Sequence, residues 1–475
     1  MWPSRESCSR GKLSIRWLRR SATSRMSRPR STAHPSGRKL GRPSSSTRWV
    51  APGRLRAWAA RGPWFRVHAD RKGRSVAVTN YPPAPRPGTT QPARGEFAMT
   101  TQTPMIDCHV HLSGLEGIPR LEGLRTHVGL DRMNLVCTMG RNHVNANPAA
   151  FVAKAERPDR FYVFAGLDHT AFFSANGRRS SANGRRSSAG EVAAPSLAEQ
   201  VDRLRALGAD GIKMIENKPT ARKLLDVPVD SDYFADYFAR VEETGFPVLW
   251  HVNDPEEFWI PELTPSWARE RGWGYDETFV AKEQLYAEVE NVLARHPKLK
   301  LLFAHFYFLS ADLPRAARLF DRFENVHLDL APGVELLYNL SQDVEATREF
   351  FTKYADRIVF GTDTASGNSP QEAQIRAGLV TRWLETDDEY LVPDEADFLL
   401  GPPEDGLMRG LSLPADVLAR IYRGNFERLA GSRPILLDRS LAAEECDRIA
   451  AEIDALAGRR LEDNHARAAA LRLRG

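Results

Sequence analysis

Cysteine is scarce in this chain. The 475 residues hold four, Cys8, Cys108, Cys137 and Cys446, far apart and with no C-x-x-C. Such spacing excludes a disulfide framework and suits reduced thiols in the cytoplasm. Long apolar runs are missing too: none approaches the roughly 18 residues of a membrane span, and no short basic head precedes an apolar core as in a signal peptide. A soluble protein is expected, with no membrane partner. No G-x-G-x-x-G follows any strand-like segment, which argues against a dinucleotide-binding open sheet.

Acids are nearly absent from the first 98 residues, where 22 Lys and Arg face only Glu6, Asp70 and Glu96. The remainder carries 44 basic and 58 acidic residues, so the overall net charge of +5 conceals a basic segment and an acidic body. The acidic body has no nucleic-acid footprint. Segment 1–98, with runs such as SRMSRPRSTAHPSGRKLGRPSSSTRW, is rich in Arg, Ser and Pro without apolar periodicity, and disorder is expected. Its composition fits a transit peptide, a nucleic-acid-binding tail, or a non-native upstream extension, since Met99 stands just before the first strand-like segment. A chain starting at Met99 is expected to keep the fold, and a clear fall in solubility or melting temperature on deleting 1–98 would contradict this.

From 99 to 431, short apolar, β-branched runs alternate with longer amphipathic stretches. Strands are expected at 104–111, 133–139, 161–167, 209–215, 246–252, 299–306, 326–331 and 357–363. Between them, PSLAEQVDRLRALG and DYFADYFARVEETG carry apolar residues at helical spacing and end on a glycine that stops a helix. Eight such units predict an α/β fold, a (β/α)8 TIM barrel, whose parallel strands are buried on both faces. The tandem SANGRRS copies at 174–187 read as a loop insertion. Segment 253–279, with three tryptophans, reads as a loop that shapes a substrate pocket or packs as a lid. The acidic stretch 387–406 interrupts the pattern, and the tail 432–475 is expected to be helical, packed on the barrel or on a second subunit.

The stretch MIDCHVHLSG, 105–114, places Asp107, His109 and His111 on one face of an extended strand, with Cys108 and Val110 on the other. His-x-His on a strand can present two imidazoles to one metal ion. His251, His305 and Asp363 fall at the ends of strands five, six and eight, where active sites of this fold lie, so the polar residues gather. His127, His143, His296 and His465 fall in loops or helices and read as surface or capping groups. His327 and Asp329 on strand seven read as supporting or structural.

With IDCHVH at strand one, VLWHVNDP at five, RHPKLKLLFAHF at six, NVHLDL at seven, DRIVFGTD at eight and a closing GNFERL, the chain resembles the amidohydrolase superfamily. Within it, the similarity is to the amidohydrolase-related branch that includes aminocarboxymuconate-semialdehyde decarboxylase. The resemblance implies one divalent ion, usually zinc, held by His109, His111, His251 and Asp363. It implies His305 beside the water and Asp363 as both ligand and proton acceptor. Such an ion brings the pKa of its water from about 15.7 toward about 7. Asp107 either holds a ligating histidine through its second nitrogen or caps the strand end. Strand four offers Lys213 and Glu216. Binuclear relatives place a carboxylated lysine or a glutamate there, whereas the decarboxylase-like branch uses one ion. That leaves Lys213 or Lys218 free to bind a substrate carboxylate, or Lys213 to neutralise buried acids. Asn253 is a further substrate-binding candidate and Glu216 a supporting residue. A metal-dependent hydrolase of an amide, ester or lactone-like bond in a small molecule is expected. A non-oxidative decarboxylase on the same site is the alternative, and a nucleic-acid-associated protein acting through the basic extension the reading from another class. A homodimer is the family-based expectation.

Overall fold

The computed structural model describes residues 103–139, 146–175, 195–333, 335–393, 396 and 407–475, together with the backbone of two short strands at 65–69 and 75–79. Those two strands, Phe65–Ala69 and Ser75–Thr79, pair antiparallel with Phe65 opposite Thr79. Composition gave no sign of this hairpin, although the β-branched alternation of SVAVT favours a strand. The disorder expected for the rest of 1–98, and the loop expected at the SANGRRS repeats from 176 on, lie outside the described residues.

From 103 onward the chain forms the expected barrel. Its parallel strands are β1 (Ile106–His111), β2 (Arg132–Val136), β3 (Phe161–Gly166), β4 (Gly211–Asn217), β5 (Val248–Val252), β6 (Leu301–Phe303), β7 (Val326–Asp329) and β8. The last strand is split. Ile358–Val359 pairs with β7, Thr364–Ala365 pairs with β1, and the Cys108 N–H donates to the Phe360 carbonyl between them, so β8 closes the barrel. Each strand is apolar on both faces because one side looks into the barrel and the other meets the helices. Inside, Ile106, Tyr162, Phe164, Leu249, Leu302 and Val359 belong to one cluster, and Phe426 from helix Asn425–Ala430 plugs it, edge-on to Tyr162 at 5.1 Å.

Local chemistry fixes the helix limits. In the helix Leu197–Leu207, Ser196 and Glu199 cap each other's backbone N–H groups. Gly208 ends it at φ 94°, and a Cβ there would stand 2.5 Å from the Leu436 carbonyl oxygen, so only glycine lets the tail cross at this point. The strand expected to run from 299 to 306 stops at Phe303, for a reason that belongs to the site. Within 387–406, Glu389–Leu391 pairs antiparallel with Leu407–Arg409. Among the described residues no helix is long and apolar enough to cross a membrane.

The tail packs on the barrel. Its helices Arg439–Ala457 and His465–Arg474 lie against the helix Asn147–Glu156, with Arg472 paired to Glu156 and Arg203 to Glu445. Arg448 reaches from the tail to Asp168, just after β3, at 3.0 Å, and to Glu452 at 2.6 Å. Burial and the neighbouring Asp168 push Glu452 from its ordinary 4.5 up to about 9. Across that interval the folded chain binds a proton that the unfolded chain has released, so this carboxyl makes stability fall as pH rises from 4.5 toward 9. Glu452→Gln is expected to flatten the slope, raising the melting temperature at pH 9 relative to pH 6 when compared with the parent. An unchanged pH profile would remove Glu452 as its source.

Beneath the barrel's outer wall, Lys154 donates to Asp210 in a fully buried pair. Asp210 also accepts the backbone N–H groups of Val163 and Ile435, each at 2.7 Å, tying β3 and the tail to the start of β4. Burial pushes Lys154 down and Asp210 up, each partly restored by the other.

Candidate metal centre

Strict alternation along β1 predicts Cys108 turned away from the histidines. The structure corrects this: Cys108 lies in the barrel's inner cluster, while Val110 belongs to the outer core. The pairing register of β1 with β2 shifts between Asp107 and Val110, and the irregularity brings both Cys108 and the histidines to the interior. A bulge re-aims side chains by one residue, and nothing in a single strand's sequence announces it.

Above that floor, His109 Nδ1 stands 2.9 Å from Asp329 Oδ2. A buried carboxylate there fixes the proton on Nδ1 and leaves the Nε2 lone pair directed into the barrel mouth, 3.7 Å from Asp363 Oδ1. His111 Nε2 lies 3.1 Å from the same oxygen, and His111 and Asp363 are each a third exposed, which opens the group to solvent. Burial pushes the Asp363 carboxyl up. The His111 hydrogen bond and the fields of His111, His109 and His305 outweigh it and hold Asp363 well below the usual carboxylate range. Burial and then Lys213 keep His109 neutral. Among the described residues, His109, His111 and Asp363 are the group whose ligand atoms all lie within 4.8 Å of one another. Two imidazoles and one ionised carboxylate are a donor set that fits a divalent ion.

The aspartate that holds the ligating ring is Asp329, not Asp107. Asp107 Oδ1 accepts the His109 and Thr362 backbone N–H groups, both at 3.1 Å, and Oδ2 accepts the Thr362 hydroxyl at 2.5 Å. It therefore ties β1 to β8 and acts on the backbone, the strand-end role of the two expected. Asp329 also accepts the His305 N–H at 2.7 Å, so one carboxylate sets two histidines. Lys213 lies under the site, its Nζ 3.1 Å from His109 Nε2, and burial brings it down to about 8.

His305 begins the turn that ends β6. His305, Phe306, Tyr307 and Phe308 have φ of 54°, 55°, 56° and 51°, a left-handed turn built without glycine. Each such residue costs about 1–2 kcal/mol. Aromatic packing holds it: Tyr307 stacks on Phe303 at 4.2 Å, and Tyr286 donates to the Tyr307 carbonyl at 3.0 Å. Asn253, after β5, and Asp363, between the two halves of β8, are also left-handed, at 70° and 56°. Non-glycine residues in this region are sustained only where their surroundings over-determine them, and here three strand ends of one barrel mouth share it. His305 Nδ1 faces the Ala331 carbonyl at 3.0 Å; a carbonyl only accepts, so the proton is on Nδ1 and the Nε2 lone pair is free. Its ring lies 5.0 Å from that of His109 and 4.9 Å from that of His251.

His251 joins the histidine cluster but not the three-ligand group. Its Nε2 faces the Asn253 carbonyl at 3.0 Å and Asp254 Oδ1 at 3.2 Å, which places its lone pair on Nδ1. Asp254 is gripped by Lys218 through both oxygens, at 2.5 and 2.6 Å, and by the Tyr275 hydroxyl. Lys218 is therefore engaged by Asp254 rather than free for a ligand. Asn253 is engaged as well, donating from Nδ2 to the Lys282 carbonyl at 2.9 Å, which leaves it shaping the loop rather than reaching a substrate. Glu216 is not among the three clustered ligand residues and lies 2.9 Å from His169 Nε2. His169 and Asp254 were not singled out from the sequence; ordinary flanking residues hide both. The loop 253–279 forms its own aromatic core, with Phe258 and Tyr275 buried against Trp259, Trp267 and Trp273, a packed cover over the end of β5.

Comparison with known proteins gives one family match: the model described as Amidohydrolase covers residues 106–431. No curated protein matches. Among solved structures, an uncharacterised TIM-barrel protein from Bordetella bronchiseptica is 15% identical with a TM-score of 0.40, over 69% of this chain and 98% of its own. A probable 2-pyrone-4,6-dicarboxylic acid hydrolase from Acinetobacter baumannii is 12% identical, with a TM-score of 0.40 over 69% and 99%. A 2,6-dihydroxybenzoate decarboxylase from Rhizobium is 15% identical, with a TM-score of 0.41 over 69% and 98%.

Proposed function

The chain belongs to the amidohydrolase family, and from that premise we propose that it is a metal-dependent hydrolase of a small organic molecule, acting on an amide, ester or lactone-like bond. The observation that carries the reading is the convergence of His109, His111 and Asp363 within 4.8 Å at the open end of the barrel. With His251 they would hold one divalent ion, zinc in the first place. Such an ion supplies Lewis acidity toward water and the scissile carbonyl. Asp363, ionised and a third exposed, takes the proton of the attacking water and returns it to the departing amine or alkoxide. His305 presents its free Nε2 lone pair to the same water and orients it. Asp329 keeps His109 and His305 in their tautomers and positions. Lys213 faces an anionic oxygen of the substrate. A homodimer is proposed as the assembly.

Metal analysis of the purified protein, joined to a screen of acyl and carboxylic acid substrates that scores both hydrolysis and carbon dioxide release, tests this. About one equivalent of metal per chain and hydrolysis without carbon dioxide are expected, with Lys213→Ala leaving metal content nearly unchanged. Carbon dioxide release would make the enzyme a decarboxylase. Two tightly bound equivalents, one lost in Lys213→Ala, would make the site binuclear.

A further inference from the structure

Two carboxyl groups beside the metal centre have no part in the chemistry above. Glu257 lies in the turn Glu256–Trp259, just after the β5 residues His251, Asn253 and Asp254. Glu335 lies in the loop after β7, beyond Asp329 and Ala331. Glu335 is 7% exposed, and its Oε2 has no hydrogen-bond partner among the described residues; nor has the buried Oε2 of Glu257. Glu257 is the largest charge bearing on Glu335, with Asp254 adding to it. Among the described residues, the field of Lys282 reaches both, and Lys282 donates to Glu256 at 2.7 Å. A Cβ placed on Gly333 would be 3.4 Å from Glu335 Oε2 and 3.8 Å from the Phe308 ring, so Glu335 and Phe308 border the same space. The Phe308 ring in turn lies 5.4 Å from that of His305 and 5.5 Å from that of His251. The pair thus belongs to the loops after β5, β6 and β7, on the rim where this fold binds its substrates.

We infer that Glu335 and Glu257 form a subsite for a cationic nitrogen group of the substrate, an ammonium or guanidinium. Buried carboxyl oxygens left without donors are costly, and like charges placed together raise the cost. Burial and Glu257 push Glu335 up to about 8, so at neutral pH the empty site holds a proton on Glu335; burial also pushes Glu257 up. An entering cation supplies both the charge and the N–H donors, and Glu335 ionises beside it. This assignment rests on reading the barrel mouth as the substrate site, and it narrows the substrate to one with a basic nitrogen remote from the bond cleaved.

The test is calorimetric titration of the metal-loaded full chain at pH 7 with butylguanidinium, using butylurea as its uncharged isostere, in two buffers of different ionisation enthalpy. Butylguanidinium is expected to bind with proton release to the buffer, and butylurea not to bind. Glu335→Gln and Glu257→Gln, which should keep the parent's unfolding midpoint, are each expected to weaken binding by about thirty-fold or more, and Glu335→Gln, which mimics the protonated carboxyl, to abolish the proton release. Equal binding of butylurea, no binding of butylguanidinium, or affinity unchanged in Glu335→Gln would overturn the inference. So would displacement of butylguanidinium from the pair by calcium or magnesium titrated into its complex. Turnover is not needed for this readout. Absence of hydrolysis with cation binding intact would therefore remove only the hydrolase reading, and hydrolysis without cation binding only the subsite.

Discussion

Asp363→Asn is expected to lower kcat by about 10²–10⁴-fold while part of the metal remains, because an amide keeps an oxygen ligand and loses the base. His305→Asn should bring a comparable fall with metal content close to normal if, as proposed, its Nε2 orients the reacting water while its Nδ1 is held at the Ala331 carbonyl. His109→Ala behaves differently: it deletes a ligand nitrogen and is expected to deplete the metal itself. Asp329→Ala should sit between them. Without the carboxylate that fixes the His109 Nδ1 proton, metal affinity is expected to fall by about 10–100-fold. Metal content by elemental analysis is read first and kcat second. If His305→Asn strips the ion as fully as His109→Ala does, His305 is a ligand and the division between holding and reacting histidines is wrong.

The largest stability effect is expected at Lys154. Removing one member of a buried ion pair leaves the other charged and unpaired, and Lys154→Met is expected to cost about 3–5 kcal/mol in urea unfolding. Asp210→Asn should cost a similar amount. The double variant Lys154→Met/Asp210→Asn should recover part of the loss, because the Asn carbonyl still accepts one of the Val163 and Ile435 N–H groups and no charge is left stranded. A loss below about 1 kcal/mol in Lys154→Met would mean that the pair is already neutral in the fold, its proton moved to Asp210.

The site was legible where chemistry is concentrated at strand ends. His109, His111 and Asp363 stand out because metal-ligating residue types interrupt apolar strands at the positions this fold uses. Less legible were the partners that orient them. Asp107 is adjacent in sequence to the HxH pair and draws attention, yet it holds backbone; Asp329, 220 residues from His109, holds the ring. Glu335 and Glu257, 78 positions apart, look like ordinary loop acids until the β5 and β7 loops meet. Asp254 looks like one more acid in a charged loop until Lys218 and Tyr275 close on it.

Sequence by itself determined the barrel, its strand count and approximate limits, the helical tail, and the metal-ligating residue types at the strand ends. These follow from hydrophobic periodicity, helix stop signals and chemical type, all properties of short segments. Only the tertiary structure decided which way β1 turns after Asp107, because a bulge is set by the neighbouring strand and not by the strand's own pattern. It alone decided that His305 through Phe308 run left-handed, since no local preference of His-Phe-Tyr-Phe favours that conformation, and packing against Phe303, Tyr286 and Phe351 must outweigh its cost. The proton positions on His109, His251 and His305 are likewise tertiary facts: an imidazole's tautomer is fixed by the acceptor opposite its ring, and in each case an acceptor from the folded backbone or a distant strand sets it.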